Sequence, residues 1–231
     1  MARILHIETS TQQCGVALSE GTDVIYHKQT LDKGFRHAAQ LHPFINQVLQ
    51  EAGFKPHQLE AIAVSAGPGS YTGLRIGSVA AKGLCFALDI PLIALSTLTV
   101  LAAPYWSNSR VVSLLDARRD EVYHASFTLG GEVESSAAAH ILTEDSYANL
   151  ATEACCFVGT GAAKAKEILP LHAHWHFISD YPSVMAMPDL AQKAYALQQF
   201  EALGSFVPSY IKPVRITASK KDALGRPKTS R

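Results

Sequence analysis

The chain has 231 residues and balances 20 basic against 20 acidic side chains, with 48% apolar and only 17% charged residues. Soluble domains average about 25% charged, so the surface is lean in charge, and the length suits one domain or two small ones that bury a core without staples. A net charge of zero excludes a wholly basic nucleic-acid binder and an acidic solvating chain, and no stretch approaches the roughly 18 uninterrupted apolar residues of a membrane-spanning helix.

The balance hides an asymmetry. From Lys212 to Arg231, seven basic residues against Asp222 alone give +6, which leaves −6 for residues 1–211. The four cysteines (Cys14, Cys85, Cys155, Cys156) show no CxxC pair and no zinc spacing, so they read as buried small hydrophobes in a reducing compartment. Met1-Ala2-Arg3 runs into a polar stretch at Glu8–Gln13 and does not read as a signal peptide. The expectation is a cytoplasmic protein without a membrane segment.

Residues 3–8 alternate as a strand, residues 9–13 are a small polar turn, and residues 14–20 and Val24–Thr30 read as two more strands, so the chain opens with an antiparallel meander. Leu41, Ile45, Val48, Leu49 and Ala52 then recur at helical spacing before Gly53. Pro43 either starts this helix or kinks one that begins near Phe35, and the longer version is preferred. Ala61–Ser65 reads as a buried strand, Gly67–Gly73 as a glycine-rich turn, and Leu74–Leu88 as a helix. The apolar positions Leu74, Ile76, Val79, Ala80, Leu84 and Ala87 wrap this helix so broadly that it should be extensively buried. Pro91–Leu95 is a strand, and Ser96 or Thr97 caps a helix through Ala103.

A second half starts near Asn108. Val111–Asp116 and Glu121–Leu129 read as strands joined by a charged turn, and Thr143–Ala151 as a short helix. Cys155–Val158 is a strand, Gly159-Thr-Gly161 opens a helix to Leu169, and Trp175–Ile178 is a strand. Pro188–Leu203 reads as a long amphipathic helix and Pro208–Ile216 as a final extended segment, followed by a polar tail that reads as disordered. The pattern is mixed α/β, run through twice.

Gly67-Pro-Gly-Ser-Tyr-Thr-Gly73 is the strongest local signal for chemistry. Three glycines between a strand and a helix can present bare amides to an anion at a helix N-terminus, or let the helix dock closely on its neighbours. The segment lacks the lysine of a phosphate-binding P-loop and has Thr72 where the dinucleotide fingerprint has glycine. Arg75 in the first turn opposes the helix dipole, so it either has a specific partner or is a solvated cation. Glu8-Thr9-Ser10-Thr11 can hold a hydrated metal or a phosphate, or form a turn rich in local hydrogen bonds. Asp116–Tyr123 is a charge-dense hairpin, read either as a structural turn or as a binding edge. His172, His174 and His176 would share one face of a strand, but no carboxylate or cysteine is near them in sequence to complete a zinc site. No Gly-x-Ser-x-Gly or HExxH motif is present. The residues alone provide a place for an anion and no catalytic apparatus.

Four strings carry a resemblance. Ile4-Leu-His-Ile-Glu-Thr-Ser-Thr11, Val16-Ala-Leu18, Gly67-Pro-Gly-Ser-Tyr-Thr-Gly-Leu-Arg-Ile-Gly77 and Asp116-Ala-Arg with Glu121-Val-Tyr123 resemble the TsaB (YeaZ) family. Pro208-Ser-Tyr210-Ile211-Lys212 is similar to that family's closing Pro-x-Tyr-Leu-Arg, with Ile-Lys in place of Leu-Arg, and Glu8 stands where many members have Asp. The likeness covers most of residues 1–125, and residues 130–205 match loosely.

The resemblance implies an actin-like ATPase (ASKHA, ribonuclease H-like) fold of two lobes, residues 1–107 and a reduced 108–216, with a basic tail at 217–231. It implies a non-catalytic subunit that dimerises with the TsaD-type catalytic subunit, which moves threonylcarbamoyl from its adenylate to the tRNA adenosine beside the anticodon. The TsaE-type P-loop ATPase joins them. No catalytic residue, metal or cofactor is expected in this chain, with nucleotide only at the subunit junction, where Glu8, Thr9, Ser10, Gly67, Gly69 and Ser70 are the candidate contacts. The family's pairing helices map to about 36–52 and 74–88, which makes Leu41, Phe44, Ile45, Val48, Arg75, Ile76, Val79, Ala80 and Gly83 candidate interface residues. The same residues can equally fill this chain's own core. Left alone, the chain is expected to pair with itself through that surface. The competing readings are an active phosphotransferase of the sugar- or acetate-kinase superfamily and a hydrolase. The +6 tail either steers tRNA to the complex or is plainly solvated.

Overall fold

The computed structural model describes residues 1–31, 34 and 36–212. Strands β1 (Arg3–Glu8), β2 (Gln13–Glu20) and β3 (Asp23–Leu31) form the expected meander. Helix α1 (His37–Glu51), β4 (Ala61–Ser65), α2 (Tyr71–Leu88) and β5 (Leu92–Leu95) follow. They complete a sheet of order β3-β2-β1-β4-β5, in which β1 pairs antiparallel with β2 and parallel with β4. Helix α3 (Thr97–Ala102) leads into the second half: β6 (Arg110–Asp116), β7 (Glu121–Phe127), β8 (Val133–Ile141), β9 (Cys155–Val158), α4 (Ala162–Ile168) and β10 (Trp175–Ile178). Its sheet runs β8-β7-β6-β9-β10, the connectivity of the first sheet over again. This duplicated plan of three antiparallel strands and two parallel ones is the actin-like, ribonuclease H-like arrangement.

Side-chain alternation sends each strand's apolar residues to two cores. In the first sheet Leu5, Ile7, Val16, Leu18, Ile62 and Val64 face α1 and α2, while Ile4, Ala17, Ala61, Ala63 and Ile93 face the opposite way. That second face is covered by helix α5 (Pro188–Ala196) through Ala191 and Ala194. In the second sheet Val112, Leu114 and Phe157 meet α4 and Trp175, and Val111, Leu115 and Phe127 meet α3. Helix α3 is shared: Leu98 and Leu101 serve the second sheet, and Val100 serves the first. All four cysteines are buried. Among the described residues no helix is long and apolar enough to cross a membrane.

Several expectations are corrected. Helix α1 continues through the exposed Pro43, so its start ahead of the proline, as in the longer version, holds. No helix forms at 143–151. Tyr147 adopts a left-handed conformation (φ 63°) and leaves only a 3-10 turn at Ala148–Leu150, so this half lacks a counterpart of α1. Strand β8 was not foreseen, because its middle reads Ser-Ser-Ala-Ala-Ala, poor strand formers that pair only because β7 supplies the register. Helix α5 stops at Ala196, not Leu203. Gln198 turns left-handed (φ 53°) and Glu201 bonds Leu92 at the free edge of β5. The chain from Val184 to Phe206 therefore packs on the first sheet and not on the second lobe expected to reach residue 216. Residues 208–212 form no strand, and the rest of the expected final segment and the tail lie outside the described residues.

Candidate functional site

Strand β1 ends in Glu8, which is fully buried together with Thr9 and Ser10. The Glu8 carboxylate is tied up locally. Oε1 accepts from the Ser10 amide (2.6 Å) and the Ser10 hydroxyl (2.5 Å), and Oε2 accepts from the Ser65 hydroxyl at the end of β4. Burial pushes the Glu8 carboxyl up from its ordinary 4.5 to about 7, against the pull of these hydrogen bonds. The group is a buried acid held by three hydrogen bonds, two from its own turn and one from the end of β4.

The glycine-rich segment closes over this turn. Gly69, just ahead of α2, and Gly73 and Gly77 within it recur every four residues on the side that lies against Thr9 and Ser10. A Cβ on Gly69 would run into the Ser10 carbonyl, one on Gly73 into the Thr9 carbonyl, and one on Gly77 into the Thr9 hydroxyl. Thr9 Oγ1 donates to the Gly73 carbonyl at 2.8 Å. The loop's polar groups are likewise used inside the protein. The Gly67 amide donates to Thr97 Oγ1 (3.2 Å), the Ser70 amide to the Ser10 carbonyl (2.6 Å), and Ser70 Oγ caps α2 by accepting from the Gly73 amide (3.3 Å). The Ser209 amide donates to the Ala66 carbonyl (2.7 Å), and the Ser209 carbonyl sits where a Cβ on Gly67 would be. Sequence left two uses for this loop, and the geometry builds the docking turn, with α2 seated closely on Thr9 and Ser10. The second half repeats the device. Gly159 (φ 125°) abuts the Leu114 carbonyl, and the Gly161 amide donates to that same oxygen at 2.9 Å.

The outer edge of α2 is the contrast. Arg75 and Gly83 are exposed, Val79 is 70% exposed and Phe86 84%. This corrects the expectation that α2 is extensively buried, with Val79 part of its covered surface. The candidate interface residues divide accordingly. Leu41, Ile45, Val48 and Ala80 are buried in the first core and are not available to a partner; Phe44 and Ile76 are half-buried against it. Arg75, Val79 and Gly83 do share a bare face. Phe86 was missed, although its place seven residues after Val79 puts it on the same stripe. Among the described residues Arg75 pairs with no carboxylate; its guanidinium lies 4.2 Å from the centre of the Tyr71 ring.

A C-terminal strap ties the two halves. Phe206 joins the first core, and its carbonyl accepts from Lys82 Nζ (3.1 Å). The Tyr210 ring packs 4.9 Å from Tyr71. Lys212 then reaches the second sheet, pairing with Glu121 and lying 5.6 Å from the centre of the Tyr123 ring. The charged hairpin it meets turns through Arg118 (φ 69°) and Arg119 (φ 53°), with the Arg118 amide on Asp116 Oδ1 (2.8 Å) and Lys164 on the same oxygen (2.5 Å). The three-histidine idea fails on the backbone: only His176 lies in β10, and His174 Nε2 bonds the Ala151 carbonyl at 2.8 Å. Among the described residues no group of three or more His, Cys, Asp or Glu could hold a metal ion.

Comparison with known proteins places this geometry. Residues 34–219, about four-fifths of the chain, match the family model described as TsaD, tRNA N6-adenosine threonylcarbamoyltransferase. A crystal structure from Pseudomonas aeruginosa, described as an uncharacterized protein with similarity to the peptidase YeaZ, is 30% identical with a TM-score of 0.81, over 92% of this chain and 100% of that one. The tRNA threonylcarbamoyladenosine biosynthesis protein TsaB of Escherichia coli (strain K12) is 36% identical over 128 residues, 54% of each chain. TsaB of Bacillus subtilis (strain 168) is 40% identical over 121 residues, 52% of each. In these alignments the chain spans about half the length of the curated relatives it matches. The chain therefore belongs to the family of that model, the TsaD-type tRNA N6-adenosine threonylcarbamoyltransferases, and within it to the TsaB (YeaZ) group.

Proposed function

We propose that this chain is a non-catalytic scaffold and activator in the biosynthesis of threonylcarbamoyladenosine in tRNA, the process for which its TsaB relatives are named. In this reading it docks on a TsaD-type catalytic subunit that transfers threonylcarbamoyl from its adenylate to the tRNA adenosine next to the anticodon. A TsaE-type ATPase joins that pair, and the isolated chain forms a homodimer through the same face. Any nucleotide binds at the subunit junction and not in the Gly67–Ser70 loop.

The observation that carries the reading is the division of α2. Its glycine edge is packed against the Thr9–Ser10 turn beside the buried Glu8. Its opposite edge leaves Val79 and Phe86 bare beside Gly83, where a second helix can approach closely. Such a helix serves as a dock better than as half of an ATPase.

The test is light scattering and affinity measurement on this chain mixed with the TsaD-type subunit of the same source. Val79→Asp and Phe86→Asp should each weaken a one-to-one complex by at least about tenfold while the melting temperature stays near that of the parent chain. Unchanged affinity in both variants would refute the assignment of this face.

A further inference from the structure

The strands of the second sheet that a counterpart of α1 would cover are built differently from those of the first. In the first sheet β2 sends Cys14, Val16 and Leu18 into the core with Leu41, Ile45 and Val48 of α1. In the second sheet β7 presents Val122, His124 and Ser126 on the corresponding face. The chain near them is the loop that carries Leu142 and Leu150, which pack with Val122. Beside these residues lies a cleft of about 290 Å³, lined from β7 by His124 and Ser126, from β8 by Ser135 and from the loop by Tyr147 and Asn149.

The polar groups of this cleft do not satisfy one another. Ser126 and Ser135 stand opposite each other in the β7–β8 register. Among the described residues, neither hydroxyl makes a hydrogen bond, nor does the Asn149 side-chain amide. Two further groups are both buried and unpartnered, His124 Nδ1 and Tyr147 Oη, although buried polar atoms normally have a partner. Tyr147 is also held in the left-handed conformation (φ 63°), a strained one for a bulky residue. Its ring centre lies 5.8 Å from that of His124 and 5.6 Å from that of His140.

The charges, in contrast, are settled. Arg110 at the edge of the cleft lies 2.6 Å from Glu134 and 3.0 Å from Glu153. Burial, helped by the neighbouring His140, lowers the His124 pKa, so that ring is neutral at physiological pH. An anion would have to break the ion pairs of Arg110, and a cation would have to draw Glu134 away from it. What stays open is a set of neutral groups, each able to give or take a hydrogen bond. Their complement is a neutral molecule that does the same, and hydroxyls spaced around a ring are such a molecule. The aromatic rings and Leu150 suit its C–H faces.

We propose that this cleft binds a small neutral polyhydroxylated ring, a monosaccharide or a cyclitol, with Ser126, Ser135, Tyr147 and Asn149 meeting its hydroxyls. The site is separate from the bare face of α2 and does not depend on the scaffold reading.

The test is a proton NMR titration of the full chain that follows the histidine ring signals. The probes are D-glucose, D-ribose and myo-inositol, each taken to about 20 mM, since a ligand of one ring can reach a Kd of about 1 mM. Sodium acetate and ethylammonium chloride serve as charged controls. At least one of the three neutral rings should shift the His124 and His140 signals saturably, and which one does so separates monosaccharide from cyclitol. Tyr147→Phe and Ser126→Ala should each weaken that binding about tenfold. The melting temperature of unliganded Tyr147→Phe should be no lower than that of the parent chain, because the change removes a buried hydroxyl that has no partner. No saturable shift with any of the three rings, the result for a merely hydrated cleft, overturns the proposal. So does tighter binding of acetate or ethylammonium, or ring binding that both variants retain. A lower melting temperature for Tyr147→Phe overturns it as well, since the hydroxyl would then be served within the folded chain.

Discussion

Replacing Glu8 by Gln separates burial from charge at the centre of the first half. The Glu8 carboxyl is fully buried and raised from 4.5 to about 7, with desolvation the largest cause and the Ser10 and Ser65 hydrogen bonds opposing it. Between those two values the folded protein holds a proton that the unfolded chain has released, so stability falls as pH rises. The contribution is fully present below 4.5 and is lost by the time pH passes 7; two and a half pH units at 1.36 kcal/mol each amount to about 3 kcal/mol. His6, next but one on β1, works in the other direction. Burial lowers it from 6.5 to about 3, so the unfolded chain takes up the proton first on acidification and stability falls below pH 6.5. Between pH 4.5 and 6.5 the two slopes cancel in the parent protein. In Glu8→Gln only the histidine slope remains, and the amide still accepts from Ser10. Urea midpoints at pH 4, 5.5 and 8 should therefore show the variant gaining on the parent by about 3 kcal/mol across the range. A difference that stays constant from pH 4 to 8 would mean that Glu8 is ionised throughout and that its hydrogen bonds outweigh desolvation.

Two glycines on opposite edges of α2 should respond oppositely to alanine. Gly73→Ala drives a Cβ into the Thr9 carbonyl and should lower stability in urea by about 3 kcal/mol, at the upper end of overpacking costs. Gly83→Ala meets nothing within 4 Å and should raise stability by about 0.5–1 kcal/mol through helix propensity; equal effects would refute the account of how α2 is seated. Tyr210→Ala removes the ring packed on Tyr71 and should cost about 1 kcal/mol. It should also speed limited proteolysis within residues 205–212 well before the rest of the chain is cut, and uniform protection would show that the strap does not depend on this contact.

What could be read from the sequence depended on whether the deciding contact was local. The first meander, β4 and α1 are written in alternation, helical spacing and end signals within single segments, and the Pro43 ambiguity concerned only the start of one helix. Strand β8 could not be seen because Ser135–Ala139 carry no strand preference of their own, and its pairing with β7 is a tertiary fact. Helix α5 was overextended because Leu197, Phe200 and Leu203 continue a helical pattern, yet the chain turns at Gln198 to reach the edge of β5. The candidate site divides in the same way. That α1 and α2 carry apolar faces was legible; which of Ile45, Val48, Val79 and Phe86 lies inward was not, since one helix has both a core face and a bare one.

The Gly67–Gly77 segment shows why a phosphate loop and a docking turn can read alike. Both need bare amides at a helix start and no Cβ on the approaching edge. They differ in what comes close. In this chain what comes close is a stretch of its own backbone some sixty residues earlier, the Thr9 and Ser10 carbonyls, which stand where a Cβ on Gly73 or Gly69 would be. A spacing of four between Gly69, Gly73 and Gly77 is the trace of that choice. A phosphate needs glycine only where the loop meets it, whereas a helix lying along a turn needs glycine wherever its edge touches. The third glycine of the series, Gly77, lies two turns into α2, where only a packed neighbour can require it. The position that is hardest to explain as ligand binding is therefore the one that argues most directly for a helix locked to its own sheet, with its other face exposed.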